Sequence, residues 1–185
     1  MIIGENNDIA QMLALLHELQ GIDFIRQLKK ITERHEFSPI ASDPQIFIVG
    51  GDVGDDYIPL LNAARKAVEQ GNKVFILPNP KGIRTADYIF ERKGVYKMFD
   101  LKTISGRNSV DNRLSESVCQ TNRVLLHLTS DYNPVRLARN IKRYFELNPN
   151  AKEVLVYKGK KQLSVTQKSL EDDNFIRAFI RRYVK

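Results

Sequence analysis

One cysteine, Cys119, stands in 185 residues. That excludes an internal disulfide and argues against a cysteine-built zinc site; Cys119 reads instead as a small buried apolar residue on a helix. No run of about 18 apolar residues occurs, so no segment reads as a membrane-spanning helix. The N-terminal MIIGENNDIAQ lacks the basic and apolar regions of a signal peptide. Neither G-x-G-x-x-G nor G-x-x-x-x-G-K-[ST] is present. The nearest approach is GGDVGDD at residues 50–56, behind a short apolar run, and its three aspartates would repel a phosphate. Internal repeats and low-complexity tracts are also missing. What remains is a chain long enough for one full core, with an ordinary 42% of hydrophobic residues.

Charge is what the chain has in excess, and it is unevenly placed. The formal net charge is +7. Residues 131–185 hold 13 lysines and arginines against 6 aspartates and glutamates, whereas residues 1–130 hold 16 against 16. A basic third on an otherwise balanced protein points to a polyanion or an acidic protein as partner.

Residues 85–103, TADYIFERKGVYKMFDLKT, carry the clearest chemical pattern. Two runs rich in aromatic and β-branched residues flank Lys93-Gly94, which reads as a hairpin turn. With a two-residue loop, Arg92 pairs with Val95 and Asp87 falls opposite Asp100. Side chains alternate faces along a strand, so Lys102 shares the face of Asp100. Opposed carboxylates at about 4.5–5.5 Å between Cβ atoms repel. A metal ion, a cation such as Lys102 or a shared proton must then compensate.

Upstream, apolar residues at helical spacing (Ile9, Leu13, Leu16, then Phe24, Ile25, Leu28, Ile31) predict two helices broken near Gly21, with Asp23 as a cap. Residues 36–44 read as a linker from their Pro, Ser and Asp content. Gln45–Val49 and Lys73–Pro78 read as short buried strands around a helix from Tyr57 to Glu69. Downstream, a polar run containing Arg107 leads to a helix from Val110 to about Gln120. Arg123–Thr129 reads as a strand whose second face carries His127 and Thr129. If that face is the one shared by Asp100 and Lys102, His127 becomes the only neighbour titrating near neutrality. Asn133-Pro134 starts a helix to about Leu147 with Arg136, Arg139, Lys142 and Arg143 on its polar side. A second hairpin turns around Lys158-Gly159-Lys160-Lys161. A last helix follows Ser169, with Arg177, Arg181 and Arg182 near its end, where cations also complement the helix dipole.

Together these elements predict an α+β fold: a small, mostly antiparallel twisted sheet of two hairpins plus one strand, packed by helices. Residues 1–44 form an N-terminal helical extension and linker, and residues 45–185 the main domain. Candidate catalytic residues are Asp87, Asp100, Lys102 and His127. Arg107, Thr129, Arg136, Arg139, Arg143 and Lys160 are candidate substrate contacts.

The order of elements supplies a resemblance over about residues 45–168. It runs from Gly71, Val74, Leu77 and Pro78 through Ala86-Asp87, a hairpin and Asp100-x-Lys102. A helix ending in Gln120, an apolar strand, an amphipathic helix and the hairpin EVLVYKGK complete it. This resembles the C-terminal tRNase domains of contact-dependent growth inhibition (CdiA-type) and related polymorphic or phage-borne toxins, grouped with the barnase/EndoU/RelE-like nucleases. The resemblance implies a metal-independent ribonuclease that acts on RNA, in the first place tRNA, in the cytoplasm of a target or host cell. Delivery as part of a larger secreted or phage-borne protein and neutralisation by a cognate immunity protein are implied with it. It also implies that Asp87 is the acidic residue before the hairpin, Asp100 and Lys102 the Glu-x-Lys pair, and Gln120 the helix-terminal glutamine. Asp100 stands where glutamate is commoner, which shortens the reach.

Two chemistries stay open, beside a non-catalytic reading. Without a cofactor, a base (His127 or a carboxylate) takes the proton of the RNA 2′-hydroxyl, and Lys102 or Arg107 stabilises the phosphorane. In a PD-(D/E)xK-like site, Asp87 and Asp100 hold Mg²⁺ and Lys102 positions water; Ala86 stands where that motif has proline. A basic RNA- or protein-binding module with structural aspartates is the third reading.

Overall fold

Asn133 and Pro134 open a helix where the sequence predicts one: the Asn133 side chain accepts a hydrogen bond from the backbone N–H of Arg136, and Pro134 fills the first helical position. The computed structural model to which this helix belongs describes residues 8–50, 57–80, 82–106, 110–118 and 121–185. The chain divides into two units, residues 1–98 and 99–185, and the division falls between Met98 and Phe99.

The first unit contains α1 (Ile9–Leu15), a 3-10 turn at Leu16–Glu18, α2 (Gly21–Thr32), β1 (Phe37–Ile40), β2 (Asp43–Val49), α3 (Ile58–Glu69), β3 (Lys73–Ile76) and β4 (Tyr88–Arg92). Its strands lie in chain order. β1 and β2 are antiparallel, β2 and β3 parallel, β3 and β4 antiparallel. The parallel pair follows from α3, which supplies the crossover such strands require. Phe75, Leu77 and Ile89 share a core with Leu13, Leu28 and Ile31 of the first two helices. On the opposite face α3 packs against β2 and β3 through Ala63, Ala64 and Ala67, and the Tyr88 hydroxyl donates to the Leu60 carbonyl at 2.6 Å. β1 lies within residues 36–44, where the sequence predicts a linker. It is an edge strand whose register shifts between Pro39 and Ile40, and both an edge and a bulge accept a proline. The predicted turn is present: Lys93 and Gly94 have φ of +50° and +77°, as a tight two-residue hairpin turn demands.

The strand β5 (Val95–Ile104) contains the division, and its later residues open the second unit. There follow α4 (Val110–Glu116), β6 (Arg123–Leu128), α5 (Pro134–Leu147), β7 (Glu153–Lys158), β8 (Lys161–Thr166), α6 (Gln167–Leu170) and α7 (Phe175–Val184). β5, β6 and β7 are mutually parallel, and β7 and β8 form an antiparallel hairpin. Val124, Leu126 and Leu128 of β6, with Val154 and Val156 of β7, form one core with Leu114 of α4, Leu137 and Ile141 of α5, and Phe179 of α7. Three helices therefore cover one face of these strands.

The fold is α+β, but the small, mostly antiparallel sheet is overturned. Among the described residues there are eight strands in mixed array, and three of the strand pairs are parallel. The physical reason is the helix between each of those strand pairs: α3, α4 and α5 are crossovers, which return the chain to run parallel.

Candidate functional site

Asp100 and Lys102 owe their direction to the register of β5. Asp100 pairs with Val124, Lys102 with Leu126 and Ile104 with Leu128. Paired residues of neighbouring strands point the same way, so both charged side chains face the helix-covered side. Above them runs α4, where Val110 and Leu114 point inward and Ser117, three residues on, continues the same stripe. The Ser117 hydroxyl, fully buried, donates to Asp100 Oδ2 at 2.8 Å. Lys102 Nζ lies 3.2 Å from the same oxygen and 3.9 Å from Glu116 Oε2. Arg113 Nη1 approaches Glu116 Oε2 at 3.2 Å.

Exposure rises along this chain of charges. The side chains of Asp100 and Lys102 are 5% and 12% exposed, whereas those of Arg113 and Glu116 are 43% and 51% exposed. A buried ammonium is thus gripped from within by one carboxylate and reached from solvent by another. Tyr144 of α5, itself buried, feels the Asp100 charge. Burial first, and the Asp100 charge second, push its phenol up to about 12, so it is a neutral hydroxyl at ordinary pH.

The other described candidates of the second unit lie elsewhere in that unit. His127 pairs with Thr103 and Tyr157, one residue out of step with Lys102, and so faces the opposite side of the strands. The condition that would bring it beside Asp100 and Lys102 is not met. Thr129 follows the far end of β6, about 16 Å along the strand from Val124, and its hydroxyl donates to the Ile104 carbonyl at 3.1 Å. Lys160 is exposed in the β7–β8 turn. Arg136, Arg139 and Arg143 are exposed on α5. Asp87 is half-buried in the first unit, just before β4, where its carbonyl accepts from the Leu77 N–H at 2.9 Å. Arg107, Cys119, Gln120 and residues 51–56 of the glycine-aspartate run lie outside the described residues.

The face that carries His127 holds a second charged pair. Arg123 Nε lies 3.5 Å from Glu153 Oε2, and the Ser164 hydroxyl donates to Glu153 Oε1 at 2.8 Å. Burial lowers the Arg123 pKa; burial and, second, Glu153 raise that of Tyr157. The sequence does not single out Glu116, Arg113, Ser117 or Tyr144. Ser117 and Tyr144 are legible only as members of inward helical stripes, where they read as ordinary core.

In the PD-(D/E)xK-like reading, Asp100 would bring to the ion a carboxylate whose Oδ2 accepts from Ser117 and faces the Lys102 ammonium. Among the described residues no group of three or more His, Cys, Asp or Glu side chains could hold a metal ion. Among them, too, no helix is long and apolar enough to cross a membrane.

No protein-family model matches the chain, and no curated protein sequence does. One solved structure with partial similarity is a CdiA-CT/CdiI toxin and immunity complex from Burkholderia pseudomallei. It is 17% identical, with 59% of this chain and 83% of that one covered and a TM-score of 0.41. The chemistry of the site therefore rests on its own side chains.

Proposed function

We propose that this chain is a toxin-type ribonuclease that cuts RNA without a metal ion, through attack of the 2′-hydroxyl. The single observation that carries the reading is Lys102, held by buried Asp100 and met at its outer side by half-exposed Glu116. A buried ion pair contributes little net stability, and a charged cluster opening to solvent is a candidate active site.

In this mechanism Glu116 takes the proton of the 2′-hydroxyl, and O2′ attacks the adjacent phosphorus. The Lys102 ammonium, held by Asp100, whose carboxylate Ser117 in turn anchors, faces the charge that builds on the phosphorane. Arg113, beside Glu116, binds a non-bridging phosphate oxygen. The bond to O5′ then breaks, and O5′ leaves with a proton from Lys102. The products are a 2′,3′-cyclic phosphate and a 5′-hydroxyl, and proton exchange with water restores Lys102 and Glu116. His127 has no part in this scheme.

The order of elements that resembles the CdiA-type tRNase domains supports the toxin half of the reading. A tRNA substrate, action in the cytoplasm of a target or host cell and a neutralising immunity protein belong to the proposal on that basis. The test is incubation of the chain with total tRNA, with and without EDTA, beside Glu116→Gln. Cleavage that survives EDTA and falls about 10²–10⁴-fold in the variant supports the assignment. Cleavage unchanged in Glu116→Gln removes that residue as the base.

A further inference from the structure

The outer faces of α5 and α7 carry a concentration of charge that the chemistry above does not use. The two helices pack on each other, and their aromatic residues, Tyr144 and Phe145 on one and Phe175, Phe179 and Tyr183 on the other, are all buried in the shared core. The solvent side carries Arg139, Lys142, Arg143, Arg177, Arg181 and Arg182, all exposed, against a single exposed carboxylate on the two helices, Glu146. Among the described residues none of these six makes an ion pair. Arg139 and Arg143 are four residues apart, as are Arg177 and Arg181, so each pair stacks like charges on one helix face. Such like-charge pairs disfavour a helix. Surface cations without partners, kept at a cost to both helices, fit a polyanion.

What this face lacks narrows the polyanion. Proteins that hold single-stranded RNA present aromatic rings on which unpaired bases stack. On these helices every ring is buried, and the exposed charged groups, Glu146 apart, are guanidinium and ammonium ions that bind phosphate. α5 alone is about 21 Å long, enough to follow a duplex backbone over several phosphates. We infer that the α5/α7 face docks the phosphate backbone of a folded, double-helical RNA, with little regard for its base sequence. This rests on the ribonuclease reading and assigns the surface that would hold its substrate. Arg143 precedes Tyr144, the buried phenol that feels the Asp100 charge, and α5 packs against α4, which carries Glu116 and is followed by Ser117.

The experiment measures binding of the full chain by fluorescence anisotropy, between about 50 and 200 mM salt. The probes are 2′-O-methylated, so that binding is read without cleavage: a hairpin with a stem of about 16 base pairs and an unstructured oligouridine of equal length. Wild type is compared with a fourfold variant, Arg139→Ala, Arg143→Ala, Arg177→Ala and Arg181→Ala, and with lysine at the same four positions. The expected result is several-fold tighter binding of the hairpin and a slope of log Kd against log salt that is smaller by about 3 in the alanine variant. The lysine variant keeps the wild-type slope, which also shows that four surface changes leave the fold intact. An unchanged slope in the alanine variant overturns the inference. So does equal affinity for oligouridine, or binding of polyglutamate as tight as that of the hairpin, which would make the face a dock for an acidic protein. Salt-dependent hairpin binding without any cut of unmodified RNA sinks the nuclease reading and leaves the docking face standing.

Discussion

Lys102 Nζ and Asp100 Oδ2 lie 3.2 Å apart on one strand, two residues from each other, with both side chains nearly closed off from water. Neither charge is tolerable there without the other. Asp100→Asn leaves a buried ammonium and should lower stability by about 3–5 kcal/mol, as should Lys102→Met, which leaves a buried carboxylate. The double change Asp100→Leu with Lys102→Met should recover most of that loss while remaining inactive on RNA. Urea denaturation of the three variants checks it; equal losses that simply add in the double variant would mean that the two groups are not coupled.

Tyr144 gives an alkaline signature. Its folded pKa is raised from 10.0 to about 12, so its neutral form is favoured in the native state. The associated stability is fully present below pH 10 and is lost as pH rises from there to about 12. Tyr157, raised for a similar reason, acts in the same direction. Each contributes a slope of at most about 1.4 kcal/mol per pH unit, less where water screens the phenol. Tyr144→Phe should therefore flatten, without abolishing, the fall in stability between pH 10 and 11, as read by denaturant titrations across that range.

His127 separates two accounts of the base. It faces away from Asp100 and Lys102, so His127→Gln should alter cleavage of tRNA by less than about threefold. A loss approaching the 10²–10⁴-fold expected of a general base would show that the proton is taken on the other face.

The hairpin turn offers a gain. Lys93 adopts φ of +50°, a conformation that asparagine accepts far more readily than lysine. Lys93→Asn should raise stability by about 0.5–1 kcal/mol, seen as a higher urea midpoint at constant slope.

These residues also show what could be read from the sequence. The Lys93-Gly94 turn and the start of α5 at Asn133-Pro134 are local events, set by two adjacent residues each, and both stand where the sequence predicts them. Strand pairing is not local. The antiparallel expectation failed because β5, β6 and β7 each find a partner beyond an intervening helix, although the helices at 110–116 and 134–147 were themselves legible and are what parallel strands require. β1 was hidden by Pro39, which at a sheet edge removes nothing that the strand needs. The Asp100–Lys102 pair was legible because i, i+2 spacing on a strand leaves one outcome. Ser117 was not: a serine on an inward helical stripe shows its purpose only when a carboxylate is found opposite.

The most direct measurement is the chemistry of the cut ends. Full-length chain incubated with tRNA in excess EDTA should produce fragments ending in 2′,3′-cyclic phosphate and beginning with 5′-hydroxyl. A deoxynucleotide at the cleaved position should abolish the cut. Fragments with 3′-hydroxyl and 5′-phosphate ends that appear only with Mg²⁺ would contradict the account.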